Sequence, residues 1–546
     1  MSPRGVAVRA RRFGVVLGAF SLSTAVGAQS VAPLPPPCAF PGFGVANPAP
    51  ARHTRTLTVL SLTVVGNGNE QTDFLASGLS DAIIDKLSSV LPRLEIAGRR
   101  LAYARVVNST TSAKRAGVEL DTKHVLAGAV SGSREGARVS FALYDNGGAR
   151  TWARSFMYDS VGAGPIVRAV STEVASRVGG TLTSQQTQLL DRLPTHNRLA
   201  YEWSLKGDAA ADGAAYDRAA NAFRHAIQLD RGFVEAYSKL ALADAALLDE
   251  GIEKSAGGSI LLEELQSAAG RAVANSPTSA MAWFAEARAR VLGGRATATW
   301  RNAYDRAVAL DPRNPTILEH YGRDLAQTDE RAAALDMLRR AAALVPRDAE
   351  ILTSLAEIAI AEKNDGDACG LLNAAITADA LYGPAWATRA LLRIRHGDLR
   401  FAWADAETAT KVGAGLLGES AGALVDLAAH DTVRARARLA DVMLDVSSRV
   451  TIGVRDGRAV ATAFIAAGQM PRALDVLEAV RPRGPLYAAT LRDPNFDQAR
   501  REPRFRALIV PSQAGPPKAR ISVDDAPGNE HPGMDALPAN AAREAP

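Results

Sequence analysis

Across residues 203–508 one pattern returns about every 34 residues, and a chain that repeats at this period folds as a stack of like units. Each unit ends on a marker, Arg231, Pro277, Pro312, Pro346, Ala380 and Ala414, at spacings of 46, 35, 34, 34 and 34 residues. Five residues before each marker stands an alanine: Ala226, Ala272, Ala307, Ala341, Ala375 and Ala409. Earlier in each unit a bulky residue recurs, Trp203, Tyr237, Trp283, Leu318, Leu352 and Trp386. A small one follows four residues later, Gly207, Ala241, Ala287, Gly322, Ala356 and Ala390.

Two short helices joined by a turn cannot bury their shared face alone, so bulky side chains must fill the notches that Gly or Ala leaves in a neighbour. Six units keep good register, and two weaker ones follow over 418–448 and 450–480, where the Trp and Pro markers are lost. The 46-residue gap contains 250–259 with Gly257 and Gly258, which reads as a long inter-helix loop in the second unit. The bulky–small–alanine pattern resembles the tetratricopeptide family. That resemblance implies an all-α solenoid, a right-handed superhelix whose groove is lined by the second, fifth, ninth and twelfth positions of each first helix and receives a protein or peptide partner. Those offsets give the candidate partner-binding residues Phe284, Arg288, Glu319, Arg323, Glu350, Thr353 and Glu357. The aromatics Trp203, Tyr237, Trp283 and Trp386 occupy the internal packing position and are expected in the core.

At 546 residues, 47% hydrophobic but only 5% aromatic, the chain can bury a large core of helices. Its net charge of +5 is mild for this length and its arginines are scattered, so a nucleic-acid partner is not expected. Arg4, Arg9, Arg11 and Arg12 precede an apolar run over 13–26 that ends in Val26-Gly27-Ala28, the layout of a secretory signal cleaved after Ala28. The expected location is therefore periplasmic or secreted, with an inner-membrane tether by an uncleaved signal as the alternative. The run is too short to span a bilayer comfortably, and no other segment approaches it, so no transmembrane segment is expected after cleavage. Residues 29–55, rich in Pro, read as an extended linker. The two cysteines are Cys38, in that linker without a lipobox before it, and Cys369, in a repeat helix. They are expected not to pair, and Cys369 reads as a small core residue.

Order should begin near Thr56. Residues 56–65 alternate as a strand, and apolar residues from Phe74 to Val90 recur at helical intervals over 71–91, with Asp73 as a candidate N-cap. A short strand over 92–97 and a helix over 108–117 follow. Strands over 124–133, 137–144 and 151–157 are joined by Arg134-Glu135-Gly136 and Asn146-Gly147-Gly148, and a helix over 164–178 closes the unit. Phe74 to Ile84 with Gly78, Leu79 and Asp81, then 94–99, 125–130 and 143–148 with Trp152, resemble the TolB amino-terminal-like domain over 56–190. One departure is Leu60-Ser61-Leu62, where that family reads Leu-Pro-Phe. The resemblance implies a small α/β domain, a mixed sheet with helices, ahead of the solenoid over 197–480. Residues 491–497 and 502–508 resemble the closing helix of such proteins, implying a cap over 481–510, and 511–546 have the composition of a disordered tail.

Nothing in the sequence has catalytic spacing. No Gly-rich kinase loop, His-Arg-Asp, Asp-Phe-Gly or Walker loop is found, Gly66-Asn67-Gly68 reads as a turn, and Ser131-Gly132-Ser133 sits in a predicted hairpin rather than a nucleophile elbow. His53, His124, His196, His225, His320, His396 and His430 lack metal-ligand spacing. Asp81 and Asp85, four apart, could hold a cation or act as an acid–base pair, but read first as a solvated helix face. The expectation is a non-enzymatic scaffold with no cofactor and no metal, binding a protein or peptide partner. Whether a small molecule binds is left open. The competing reading is a ligand-sensing or regulatory subunit of a signalling enzyme, with the TolB-like part as sensor.

Overall fold

The computed structural model describes residues 36–38, 55–66, 70–91, 94, 96, 110–119, 122–133, 136–250, 252–253, 258–328, 330–480, 491 and 494–509. The signal layout at 1–28, most of the linker and the tail lie outside the described residues.

The first layer is a mixed sheet. Strands β1 (Arg55–Val59) and β2 (Thr63–Val65) both run parallel to one edge of β3 (Thr122–Ser133), so the single strand expected over 56–65 is broken at Leu60-Ser61-Leu62. The break is held from the adjoining helix, since Leu62 N–H donates to the Ala76 carbonyl and Ser80 Oγ to the Leu60 carbonyl. β4 (Gly136–Asp145) and β5 (Arg150–Met157) continue antiparallel, giving the order β1-β3-β4-β5. Of the strand expected over 92–97, Ile96 bridges Leu57.

Alternation decides which face each side chain takes. Leu126 and Leu143, directly paired, face helices α1 (Glu70–Val90) and α4 (Ala163–Val178), while their neighbours Val125 and Tyr144 face α2 (Thr110–Glu119) on the other side. Helix α1 begins at Glu70, so Asp73 lies inside it rather than at its cap. Two short helices, α3 (Tyr158–Val161) and α5 (Ser184–Asp191), complete the unit, the latter opened by a capping box between Thr183 and Gln186.

Asp81 and Asp85 do not share a solvated face: Asp81 is buried and Asp85 exposed. The reason is the helix that follows. α6 (Arg198–Asp212) packs along α1, with Leu205 inside the sheet's own core and Lys206 over the Phe74 ring.

Among the described residues eight helix pairs follow in sequence: α6 with α7 (Tyr216–Leu229), α8 (Val234–Glu250) with α9 (Gly258–Asn275), α10 (Ala280–Leu292) with α11 (Thr297–Leu310), and α12 (Pro315–Ala326) with α13 (Arg331–Leu344). Then come α14 (Ala349–Ala361) with α15 (Asp365–Ala378), α16 (Gly383–Arg395) with α17 (Leu399–Lys411), α18 (Gly415–Ala428) with α19 (Thr432–Ser448), and α20 (Val454–Ala466) with α21 (Met470–Ala479). This is a repeated all-α solenoid behind a small α/β unit.

The interlock expected from the sequence has atoms to it. A Cβ at Gly207 would sit 2.4 Å from the Phe223 ring, and one at Gly322 2.7 Å from Leu338 Cγ, so the first helix needs a small residue where the second inserts a large one. Trp386 is wholly buried, and Trp283 and Trp386 each donate Nε1–H to the carbonyl six residues back, of Pro277 at 2.8 Å and Ala380 at 2.9 Å. These two tryptophans therefore tie the third and sixth units to the marker that ends the one before. Past α21, Leu491, Phe496, Ala499 and Phe505 of α22 (Pro503–Ile509) and the turns before it are buried against Phe464, Leu474 and Leu477, covering the last apolar face.

Two features depart from a plain stack. The second unit's long loop carries β6 (Ile252–Glu253), which pairs antiparallel with β7 (Arg449–Thr451) between the seventh and eighth units. A Cβ at Gly453 would meet the Asp249 carbonyl at 2.2 Å, so the second unit and the link before the eighth touch backbone to backbone. The other is covalent. Cys38 and Cys369 are joined in a disulfide, against the expectation that they stay apart, because Pro36–Cys38 is not a free linker here but lies on α15 and α16, which brings the two Cα atoms to 5.8 Å.

Candidate functional site

First helices of successive units pack on one another at α8 and α10 and again at α12 and α14, so residues at matching offsets can meet across units. Arg288 on α10, Arg323 on α12 and Glu357 on α14 share one offset, and with Glu319 on α12 and Glu350 on α14 they form one ladder in which each is ion-paired within the chain.

At the start of the ladder Arg288, only 4% exposed, donates Nη1 to both carboxylate oxygens of Asp324 at 2.8 and 3.1 Å, and Nη2 to Asp249 at the end of α8. The Tyr304 hydroxyl donates to the same Asp324 at 2.6 Å. Burial works against the Arg288 charge, but Asp249 and Asp324 outweigh it and hold its pKa well above the ordinary guanidinium value. In the middle, Arg323 bridges Glu319 at 3.1 Å and Glu350 of the next unit at 2.6 Å. Burial first, and then the neighbouring Glu350, push the Glu319 carboxyl up, with Arg323 opposing. At the far end Glu357 accepts from Arg455 Nη2 of α20 at 3.3 Å, with the half-buried Tyr382 beside Glu350, Arg455 and Arg323. Burial also raises Asp456, next to Arg455, to about 6.

The other two expected contacts serve packing. Phe284 is buried between the Tyr304 and His320 rings, at centroid distances of 6.1 and 5.2 Å. Thr353 is fully buried and donates its hydroxyl to the Ala349 carbonyl. A docking partner would meet Arg323, 28% exposed, with the half-buried Glu350, Glu357 and Arg455, before it met either of them.

Sequence reasoning missed Asp249, Asp324, Tyr304, Tyr382 and Arg455. Asp324 follows Arg323 directly and could have been found by asking which acid a buried Arg288 would need one unit later. Arg455 could not, since the eighth unit has lost the markers that fix register.

Among the described residues no group of three or more His, Cys, Asp or Glu could hold a metal ion, and no helix is long and apolar enough to cross a membrane. What the ladder can do is hydrogen bonding and charge pairing, with each half-exposed group able to exchange an internal partner for an external one.

No protein-family model matches the chain, and no curated protein matches it. Among solved structures it is similar to the crystal structure of yeast Tom70, at 13% identity and a TM-score of 0.35 over 64% of this chain and 80% of that one. It is also similar to Pseudomonas aeruginosa pilF, at 18% identity and a TM-score of 0.32 over 39% and 91%. A tetratricopeptide repeat protein from Parabacteroides merdae matches at 13% identity and a TM-score of 0.29 over 57% and 97%. The helix-pair architecture stands on this chain's own packing rather than on those likenesses.

Proposed function

We propose that this chain is a non-enzymatic protein–protein interaction scaffold, exported to the periplasm, whose solenoid docks a protein or peptide partner along the ladder of first helices. One observation carries the reading: the partly exposed Arg323, Glu350, Glu357 and Arg455 place two cations and two carboxylates, paired as Arg323–Glu350 and Arg455–Glu357, along a single seam, and a fixed charge pattern of this kind is how an interface sets register and rejects wrong partners. Partner contacts are assigned to Arg323, Glu350 and Glu357, with Arg288 and Glu319 holding them in place and Phe284 and Thr353 forming the floor.

Export is supported by the Cys38–Cys369 bond, since disulfides persist in oxidising compartments. The proposed organisation is a signal at 1–28, a linker at 29–55, a TolB-like unit at 56–190, the solenoid at 197–480, a cap at 481–510 and a tail at 511–546. The order of strands and helices around β3 supports the TolB-like reading.

The test is to isolate the mature chain with its partners from the native envelope fraction and identify them by mass spectrometry, beside the double variant Glu357→Arg, Arg455→Glu. The swap keeps an internal ion pair and inverts what a partner meets. Loss of partners at an unchanged melting temperature supports the seam; full retention removes it from the docking model.

A further inference from the structure

Pro36, Pro37 and Cys38 belong to no helix or strand, yet Cys38 is only 3% exposed and sits in the core cluster of the fifth and sixth units with Leu372, Trp386 and Ala390. Its backbone is read from both sides by one amide. Cys38 N–H donates to Asn373 Oδ1 at 3.1 Å, and Asn373 Nδ2 donates to the Cys38 carbonyl at 3.0 Å. Two residues earlier, Arg393 Nη2 donates to the Pro36 carbonyl.

The donors are matched to the segment. Pro36 and Pro37 have no N–H, so until Cys38 the segment offers only acceptors, and an extended proline stretch leaves its carbonyls without internal partners. The groups that read it are rigidly backed: Arg389 donates to Asn373 Oδ1 at 2.9 Å and grips buried Asp405 through two bonds of 2.7 and 2.8 Å, while Arg393 Nε lies 3.0 Å from the same Asp405. Arg389 also lies over the Trp386 ring, 4.8 Å from its centroid. Arg389 and Arg393 stand at inward positions of the repeat, and three buried charged side chains placed behind three bonds to a passing backbone make a built site. Recognition of backbone with one small buried side chain at the third position fits a Pro-Pro-small sequence, and prolines bring little conformational entropy to be lost.

We propose that the cleft between α15 and α16 is a clamp for an extended Pro-Pro-small peptide, that residues 36–38 of this chain are its resident occupant, and that the Cys38–Cys369 bond locks them there. The site uses residues other than those of the charged seam, so it stands or falls apart from partner docking there.

The test uses a fluorescent peptide spanning residues 33–40 with Cys38→Ser, and a full-length variant carrying Pro36→Gly, Pro37→Gly and Cys38→Gly, which empties the clamp at unchanged chain length. Anisotropy should show saturable binding to the emptied chain and none to the disulfide-bonded wild type. A scrambled peptide of the same composition should bind at least about tenfold more weakly to the emptied chain, as should the intact peptide once Asn373→Ala is added. Thermal melts establish that each variant is folded. No saturable binding to a folded, emptied chain, equal binding by the locked wild type, or indifference to scrambling overturns the proposal. The scrambled-peptide arm decides even if Asn373→Ala fails to fold.

Discussion

Arg455 lies 3.2 Å from Glu357 although 98 positions separate them, so the eighth helix pair is bonded back onto the fifth. The β6–β7 pairing does the same between the second unit and the seventh-to-eighth link. A solenoid normally has only neighbour contacts, and its stability is close to a sum over units. Here distant units are joined, so a local change should be felt across the array.

Arg455→Glu places two carboxylates at this junction and should lower stability by about 1–2 kcal/mol, whereas adding Glu357→Arg should restore most of the loss. Denaturant unfolding of both single variants and the double variant measures it. A double variant no better than the worse single one would mean that the pair does not join the units.

Arg288 is set more deeply, with Asp324 buried behind it. Removing the cation by Arg288→Ala leaves that carboxylate and the Tyr304 hydroxyl facing each other without their counter-charge, which should lower stability by about 3–5 kcal/mol. Arg288→Ala combined with Asp324→Asn should recover part of it, since the stranded charge is then gone. The same unfolding measurement decides, and equal losses in the single and double variants would rule out a stranded charge as the cause.

Two glycines should respond in opposite directions to the same methyl group. Gly207→Ala drives Cβ to within 2.4 Å of the Phe223 ring, and overpacking of this kind costs about 1–3 kcal/mol. Gly270, on the exposed side of α9, has nothing within 4 Å of a built Cβ, so Gly270→Ala should stabilise by up to about 1 kcal/mol through helix propensity alone. Thermal melting of the two variants tests the pair. A Gly207→Ala chain as stable as wild type would mean that the interlock at that notch is looser than the packing implies.

The helix pairs were legible because close packing leaves a mark on every unit: where Phe223 or Leu338 points, the facing residue must be Gly, and the period survives even where Trp is replaced by Leu. Arg288, Arg323 and Glu357 could be placed in one row because they share one offset in successive units. What the offsets could not give is burial, which put Phe284 and Thr353 in the floor, or the partners that arrive from elsewhere in the chain. Arg455, β6 and Pro36–Cys38 all meet their sites across long sequence separations, and a repeat pattern carries information only about neighbours. The cysteines illustrate the same limit, since one in a proline-rich stretch and one in a helix show no spacing that betrays a bond 331 residues long in sequence.

Asp244 gives the array a pH dependence. It is 0% exposed on α8, its Oδ1 is 3.3 Å from Arg224 Nη2, and Arg224 is already engaged by both oxygens of Glu264 at 2.6 and 2.7 Å. Burial first, then the Glu264 charge, push the Asp244 carboxyl up to about 8, with Arg224 too occupied to prevent it. A carboxyl raised in this way keeps a proton in the folded chain that the unfolded chain has released. Its contribution is therefore fully present below the unfolded value of 3.8 and is lost as pH climbs to about 8. The wild-type chain should lose about 3–4 kcal/mol between pH 5 and pH 8 from this group, read from unfolding midpoints across that range. Asp244→Asn, which stays neutral throughout and keeps the shape, should flatten that part of the profile and be the more stable protein at pH 8. An unchanged slope in Asp244→Asn would assign the titration to another carboxyl, of which Asp208, raised by burial to about 6 beside Lys239, is the next to vary.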